Sequence, residues 1–152
     1  MTEILNGQTL EVDNLLSFRG KIKQADIEFI GRDMENKIKL AGANRIGTPI
    51  TVTHGIEEDE LEIEILIPID KPMESIGKYL FKEKIRIVNA IVAKHRGNPG
   101  TLQNTCNDLN QYMSEHKLMP ITAGYNVTKR MNPVDIQDTE IEVYVGVNPN
   151  IL

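Results

Sequence analysis

The sequence predicts an α+β fold in which a strand-helix-strand-strand unit occurs twice, and three observations carry that prediction. Two strands of like character stand 78 residues apart, Glu62-Ile63-Glu64-Ile65-Leu66-Ile67-Pro68 and Glu140-Ile141-Glu142-Val143-Tyr144-Val145-Gly146-Val147. In both, period-two alternation puts apolar side chains on one face and glutamates on the other. Each strand is preceded by a stretch with helical period. Ile27, Ile30, Met34, Ile38 and Ala41 recur at intervals of 3, 4, 4 and 3, and Leu102, Cys106, Leu109 and Met113 at 4, 3 and 4. Shorter echoes pair Asn14 with Asn89, Arg19-Gly20 with Arg96-Gly97, and Val52-Thr53 with Val127-Thr128. Across these echoes and the two strands the offset drifts between 75 and 78, as small loop insertions would cause. The pseudo-repeats span about 8–70 and 78–150 within a single domain of 1–152, a length that supports one hydrophobic core.

Taken in order, residues 9–18 read as the first strand, from Leu10, Val12, Leu15, Leu16 and Phe18, and Arg19-Gly20 as a turn. A helix follows over 21–41, stopped by Gly42. Ile50-Thr51-Val52-Thr53 is a β-branched strand. After an acidic turn at 55–60, residues 61–69 form the first acidic strand, which Pro68 places at an edge or allows to fray. Residues 70–77 are a short linker. Residues 79–94 read as a long strand with a bulge near Asn89, and His95 to Gly100 as a turn. Pro99 and Thr101 suit a helix start, and that helix runs to about Lys117. Tyr125 to Thr128 is a strand, 131–138 a turn, and the second acidic strand closes the chain before Asn148-Pro149.

Composition narrows the function. Apolar residues at 40% and charged residues at 26% are ordinary for a globular protein and argue against disorder. No apolar run approaches the roughly 18 residues of a membrane span, so no membrane partner is expected. The start, Met1 to Asn6, lacks the basic and apolar regions of a secretory signal. Cys106 is the single cysteine, which excludes an internal disulfide. A soluble, cytoplasmic protein is expected. The net charge of −5 is uneven: residues 1–77 carry 8 basic and 15 acidic side chains, residues 78–152 carry 9 and 7. An acidic chain repels phosphate backbones, so direct nucleic-acid binding is not expected. Cations, basic peptides or neutral ligands are favoured.

The turn His95-Arg96-Gly97-Asn98-Pro99, the strand Tyr125-Asn126-Val127 and the closing run Ile141 to Pro149 resemble the GyrI-like family, the bacterial transcription-activator effector-binding domains. The resemblance covers most of the chain and is specific mainly over its second half. It implies one curved antiparallel sheet, two long helices on one side, and a ligand groove between the halves. In that family the groove takes small, often cationic or aromatic molecules, and a glutamate on the last strand is the acidic anchor. The matching position is Glu142. Some members are small-molecule hydrolases, others are sensor halves of transcription regulators or free-standing inhibitors of DNA gyrase. The chain departs from the pattern in having no tryptophan, only 5% aromatic residues, and Asn126 where many members have a glutamate. No helix-turn-helix segment precedes the domain, which the resemblance reads as a stand-alone member.

The candidate ligand-binding residues are therefore Glu142, Tyr144, Tyr125, Glu140, Glu64 and Glu62. Carboxylates two residues apart on a strand stand about 7 Å from each other. Facing carboxylates from Glu62 and Glu64 would repel and raise a pKa. The bland alternative makes Glu140 and Glu142 the wet face of a half-buried strand and the tyrosines core or rim residues. No catalytic residue, metal ligand or cofactor is expected. No serine sits in a nucleophile elbow, and no glycine loop has phosphate-binding spacing. His54, His95 and His116 fall in separate segments, as surface or turn residues, and Cys106 reads as a core thiol. The expected function is a stand-alone binding or sensor protein for a cationic or aromatic small molecule, acting as monomer or homodimer. The alternatives are a small-molecule hydrolase using a groove glutamate, and a protein-interaction module whose groove is vestigial.

Overall fold

The structure, a computed structural model, describes residues 2–132 and 134–147, so the Asn148-Pro149 end of the last strand lies outside the described residues. The elements run β1 (Glu3–Lys23), α1 (Ile27–Leu40), β2 (Ile50–Glu57), β3 (Glu60–Pro68), β4 (Leu80–Arg96), α2 (Leu102–Glu115), β5 (Tyr125–Arg130) and β6 (Glu140–Gly146). The fold class is α+β with antiparallel strands. The chain forms two compact units, Glu11–Arg86 and Met1–Leu10 with Ile87–Leu152. At 21 and 17 residues, β1 and β4 are long enough to contribute to both.

In the Glu11–Arg86 unit, β3 is the central strand, antiparallel to β1 on one side and β2 on the other. Ile63, Ile65 and Ile67 of β3 pack with Ile30, Met34 and Ile38 of α1, together with Phe18 and Tyr79, in one buried cluster. The helix face is the one its periodicity predicts, except that α1 stops at Leu40 and Ala41 is exposed. The stop is a Schellman motif: Ala43 N–H reaches Ile38 O at 3.1 Å and Gly42 N–H reaches Lys39 O at 3.0 Å. Gly42 takes the left-handed φ of 76° that this motif needs.

In the other unit β6 is central, antiparallel to β4 and β5. Val143, Val145 and Val147 meet Leu109 and Met113 of α2 over Ile91 and Ala93. Leu102 and Cys106 are only partly buried, and Thr105 takes the deeper place because its hydroxyl bonds the buried His95. The same Schellman motif ends α2, with Leu118 N–H on Met113 O at 2.8 Å and Lys117 N–H on Ser114 O at 3.3 Å. Here Lys117 rather than glycine holds the left-handed position, at φ 56°.

The units match position by position. The register pairs Glu64 with Arg19 and Val52, and Glu142 with Lys94 and Val127. Both β2 and β5 carry a bulge, between Thr53 and Gly55 and between Thr128 and Arg130. Ile46 N–H bonds Pro68 O at 3.0 Å, and Ile121 N–H bonds Gly146 O at 2.8 Å. The offset is 75 up to Gly55 and Arg130 and 78 from Glu62 and Glu140, so the three extra residues fall in the β5–β6 loop.

Several boundaries differ from the sequence expectation, and α1 begins at Ile27 rather than at residue 21. The first strand covers Glu3–Lys23 rather than 9–18, because Lys21, Ile22 and Lys23 continue the ladder to Glu62, Leu61 and Glu60. Gly20 is not a turn but a ladder residue opposite Ile63. The Phe18 ring lies over it, so near that a Cβ would meet Cζ at 3.0 Å. Pro68 does not mark an edge. It is the last residue of the central strand, buried opposite Leu15, where its missing N–H breaks no further ladder bond.

Candidate ligand-binding site

The glutamates of β3 and β6 occupy the strand face turned away from the helices. That face is dry in both units: Leu66 and Val52 are fully buried in one, and Val92 is buried in the other. A carboxylate held there must be paired or hydrogen-bonded.

Glu142 sits between Lys94 on β4 and Val127 on β5, with its side chain 13% exposed. The Tyr144 hydroxyl donates to its Oε1 at 2.7 Å. The Lys129 ammonium is 3.6 Å from Oε1 and that of Lys94 is 4.0 Å from Oε2, close enough for attraction but beyond direct hydrogen bonding. Burial, and then the hydrogen bond to Glu142, push the Tyr144 phenol well above its ordinary pKa. Tyr125 faces Tyr144 directly across the β5–β6 ladder. Glu142, Tyr144 and Tyr125 are thus brought together. Glu140 lies one pair further along, 4.0 Å from Arg96 and 3.7 Å from Arg130, both largely exposed.

Glu64 holds the equivalent position in the other unit and is 4% exposed. Lys82 donates to its Oε2 at 2.7 Å, and His54 Nε2 lies 3.2 Å from its Oε1. The repulsion expected between neighbouring carboxylates does not control this group. Burial pushes Glu64 up, but the hydrogen bonds from Lys82 and His54 outweigh it and hold the carboxyl below its ordinary pKa. Glu62 is the more exposed of the pair and lies 3.8 Å from Arg19. Position 66 carries Leu where the other unit has Tyr144, so Glu64 has no phenol partner.

His54, Lys82 and Lys129 were not among the expected site residues. His54 and Lys129 are the bulged residues, skipped by the register of β2 and β5. A bulge inserts one residue out of phase and re-aims it, which brings His54 onto Glu64 and Lys129 near Glu142. Strict alternation hides this. The sequence signal for it is the matched pair of interrupted strands, Thr53-His54-Gly55 and Thr128-Lys129-Arg130.

His95 is also not the turn residue expected. It is buried, with Nδ1 2.7 Å from the Thr105 hydroxyl and Nε2 2.9 Å from Asn98 O. A carbonyl only accepts, so Nε2 carries a proton and His95 pins the start of α2 to the end of β4. Beside it, a cleft of about 410 Å³ is lined by Thr2, Lys94, Arg96, Asn104 and Asp108 among others. Another, of about 480 Å³, borders Glu57, Glu58 and Glu60 on the β2–β3 turn.

Neither a protein-family sequence model nor a curated protein sequence matches the chain. Solved structures do match in fold. The EcmrR chain of a cryo-EM EcmrR–DNA complex is 16% identical with a TM-score of 0.80, covering 97% of this chain and 57% of its own, so this chain spans little more than half of that protein. The EcmrR C-terminal domain is 14% identical with a TM-score of 0.76, over 97% of this chain and 98% of the domain. SAV2435, solved with tetraphenylphosphonium bound, is 9% identical with a TM-score of 0.56, over 98% and 94%. No helix among the described residues is long and apolar enough to cross a membrane. The chain has the fold of the GyrI-like effector-binding domains, shared with the C-terminal domain of EcmrR.

Proposed function

We propose that the chain is a small-molecule binding or sensor protein whose anchor is Glu142, with Tyr144 and Tyr125 orienting a cationic or polar-aromatic ligand. One observation carries this reading: Glu142 is a carboxylate largely withdrawn from water that accepts a hydrogen bond from Tyr144, while the Lys129 and Lys94 ammonium groups stand at 3.6 and 4.0 Å. A partly desolvated carboxylate attracts a cation more strongly than one in water. The Lys129 side chain is 47% exposed and free to turn toward solvent as a ligand arrives. A tyrosine wall would add a cation–π contribution of about 0.5–2 kcal/mol.

The fold relatives support the class of function, since SAV2435 was solved with an organic cation, tetraphenylphosphonium, bound. The matched Glu64 and Glu142 positions support reading the units as pseudo-repeats of one effector-binding-like domain. A thermal-shift screen of cationic and aromatic compounds tests the proposal. Binders should raise the melting temperature of the wild type and lose that effect in Glu142→Gln. A panel that shifts neither protein, or both equally, argues against it.

A further inference from the structure

The cleft beside His95 marks a place where the two units are filled differently. In the Glu11–Arg86 unit the matching place is packed with rings. Phe18 and Tyr79 are buried and meet edge to face at 6.2 Å, Ile30 joins them in the same cluster, and the Tyr79 hydroxyl donates to Asp33. The offset of 75 puts Ala93 in place of Phe18, Ile4 in place of Tyr79, Thr105 in place of Ile30 and Asp108 in place of Asp33. Two large rings are thus exchanged for smaller side chains. His95, which replaces Gly20, is turned to Thr105 and Asn98, and the cleft of about 410 Å³ lies beside it. That volume is in the range of small-molecule sites, about 300–1,000 Å³.

The walls of the cleft carry charge of both signs, held apart. Its basic pole is Lys94 and Arg96, two residues apart on β4. The Glu3 carboxylate stands between them, with Oε2 3.9 Å from the Lys94 ammonium and Oε1 3.9 Å from the Arg96 guanidinium. The Glu3 side chain is 50% exposed, and so open an ion pair is given up at small cost. The acidic pole is Asp108 on α2, one turn from Asn104. The Thr2 hydroxyl donates to Asp108 Oδ2 at 2.5 Å, and a carboxylate can accept further hydrogen bonds beside that one. Lys94 shares the strand face of its ladder partner Glu142, turned from the helix, so the two poles lie on opposite sides of the sheet end. We propose that this cleft is a second ligand site, for an extended zwitterion of dipeptide size. The ligand carboxylate takes the place of Glu3 against Lys94 and Arg96, where it can reach the direct contact that Glu3 does not make. The ligand ammonium group pairs with Asp108, and the Asn104 amide faces the polar middle of the molecule. A simple anion gains only the first of these contacts and is repelled by Asp108.

The test is an amide NMR titration of the isotope-labelled protein at constant ionic strength. The probes are glycylglycine, N-acetylglycine, which lacks the ammonium group, and glycinamide, which lacks the carboxylate. Glycylglycine should move the signals of Glu3, Asn104 and Asp108 along saturating curves at millimolar concentration. The other two should bind about fivefold more weakly, the worth of one exposed ion pair. Arg96→Gln and Asp108→Asn should each weaken glycylglycine by a similar factor. Both residues are exposed, so neither change threatens the fold. Glu3→Gln should bind more tightly than the wild type, because the charge that competes for the basic pole is gone. Lys94 is kept in every variant, since it also stands 4.0 Å from Glu142, and the readout is thereby independent of the Glu142 site. Shifts that sodium chloride reproduces, N-acetylglycine binding as tightly as glycylglycine, unchanged affinity in Arg96→Gln and Asp108→Asn, or weaker binding by Glu3→Gln overturns the inference and leaves the Glu142 proposal standing.

Discussion

Asn14 and Asn89 hold the same backbone post in the two units. Their φ angles are 54° and 55°, and their carbonyls accept the amide protons of Ile69 and Val147 at 2.9 and 3.2 Å. A left-handed conformation inside a strand is costly for most side chains, and asparagine tolerates it better than others. Asn14→Ala and Asn89→Ala should each destabilise the fold by about 1 kcal/mol, and Asn→Gly at either site by clearly less. Urea unfolding measures both. Alanine variants as stable as the wild type would mean that these positions are not under backbone constraint.

The two helix stops make a matched experiment. Gly42 and Lys117 sit at the same place in the same motif, with φ 76° and 56°. Lys117→Gly should stabilise the protein by about 1 kcal/mol, because glycine takes this conformation without steric penalty. Gly42→Ala should destabilise it by a similar amount. A Lys117→Gly variant that melts lower than the wild type would show that the lysine side chain contributes more than the strain costs.

Much of this architecture is legible in the sequence. The helix faces are visible because a 3.6-residue period survives local substitutions, and β3 and β6 because their alternation is strict. The ends of β1 were not legible. Arg19-Gly20 carries the composition of a turn, but Gly20 is small because the Phe18 ring covers it. The site was half legible. Glu142, Tyr144 and Glu64 follow from alternation along one strand. His54 and Lys129 do not, since a bulge puts them out of phase, and Lys82 could not be placed because it comes from a different strand. The sign of the Glu64 shift was lost with them, as it depends on the hydrogen bonds from Lys82 and His54.

Acid should weaken the Glu64 cluster. With the folded-state pKa held below the unfolded carboxylate value of about 4.3, the interaction is fully stabilising above that pH. It is lost as pH falls through the folded-state pKa. Wild-type stability should therefore decline below about pH 4 more steeply than that of Glu64→Gln, which has no carboxyl to protonate. The variant should also be less stable at neutral pH, where Lys82 and His54 lose their partner. Parallel acid branches in denaturant titrations at stepped pH would contradict the pairing.

The hydrogen bond between Tyr144 and Glu142 leaves a spectroscopic mark. Part of the upward shift of the phenol comes from the carboxylate it faces. Glu142→Gln removes that charge, so one tyrosine should titrate at lower pH in an ultraviolet absorbance titration. Tyr79 is also shifted upward, by burial and then by its bond to Asp33, and should be unaffected by that change. An unchanged titration curve would mean that the Tyr144 hydroxyl does not reach Glu142 in solution.

The most direct measurement is the affinity of a cationic ligand for Glu142→Gln, by calorimetry at neutral pH. Tetraphenylphosphonium is the starting probe, and any compound that raises the melting temperature can replace it. The substitution keeps the shape of the side chain and removes its charge. If Glu142 anchors the ligand, affinity should fall by about 1.5–3 kcal/mol, the worth of a hydrogen bond to a charged group. An affinity equal to that of the wild type would leave Glu142 as a structural carboxylate of a buried strand face and the binding proposal without its anchor.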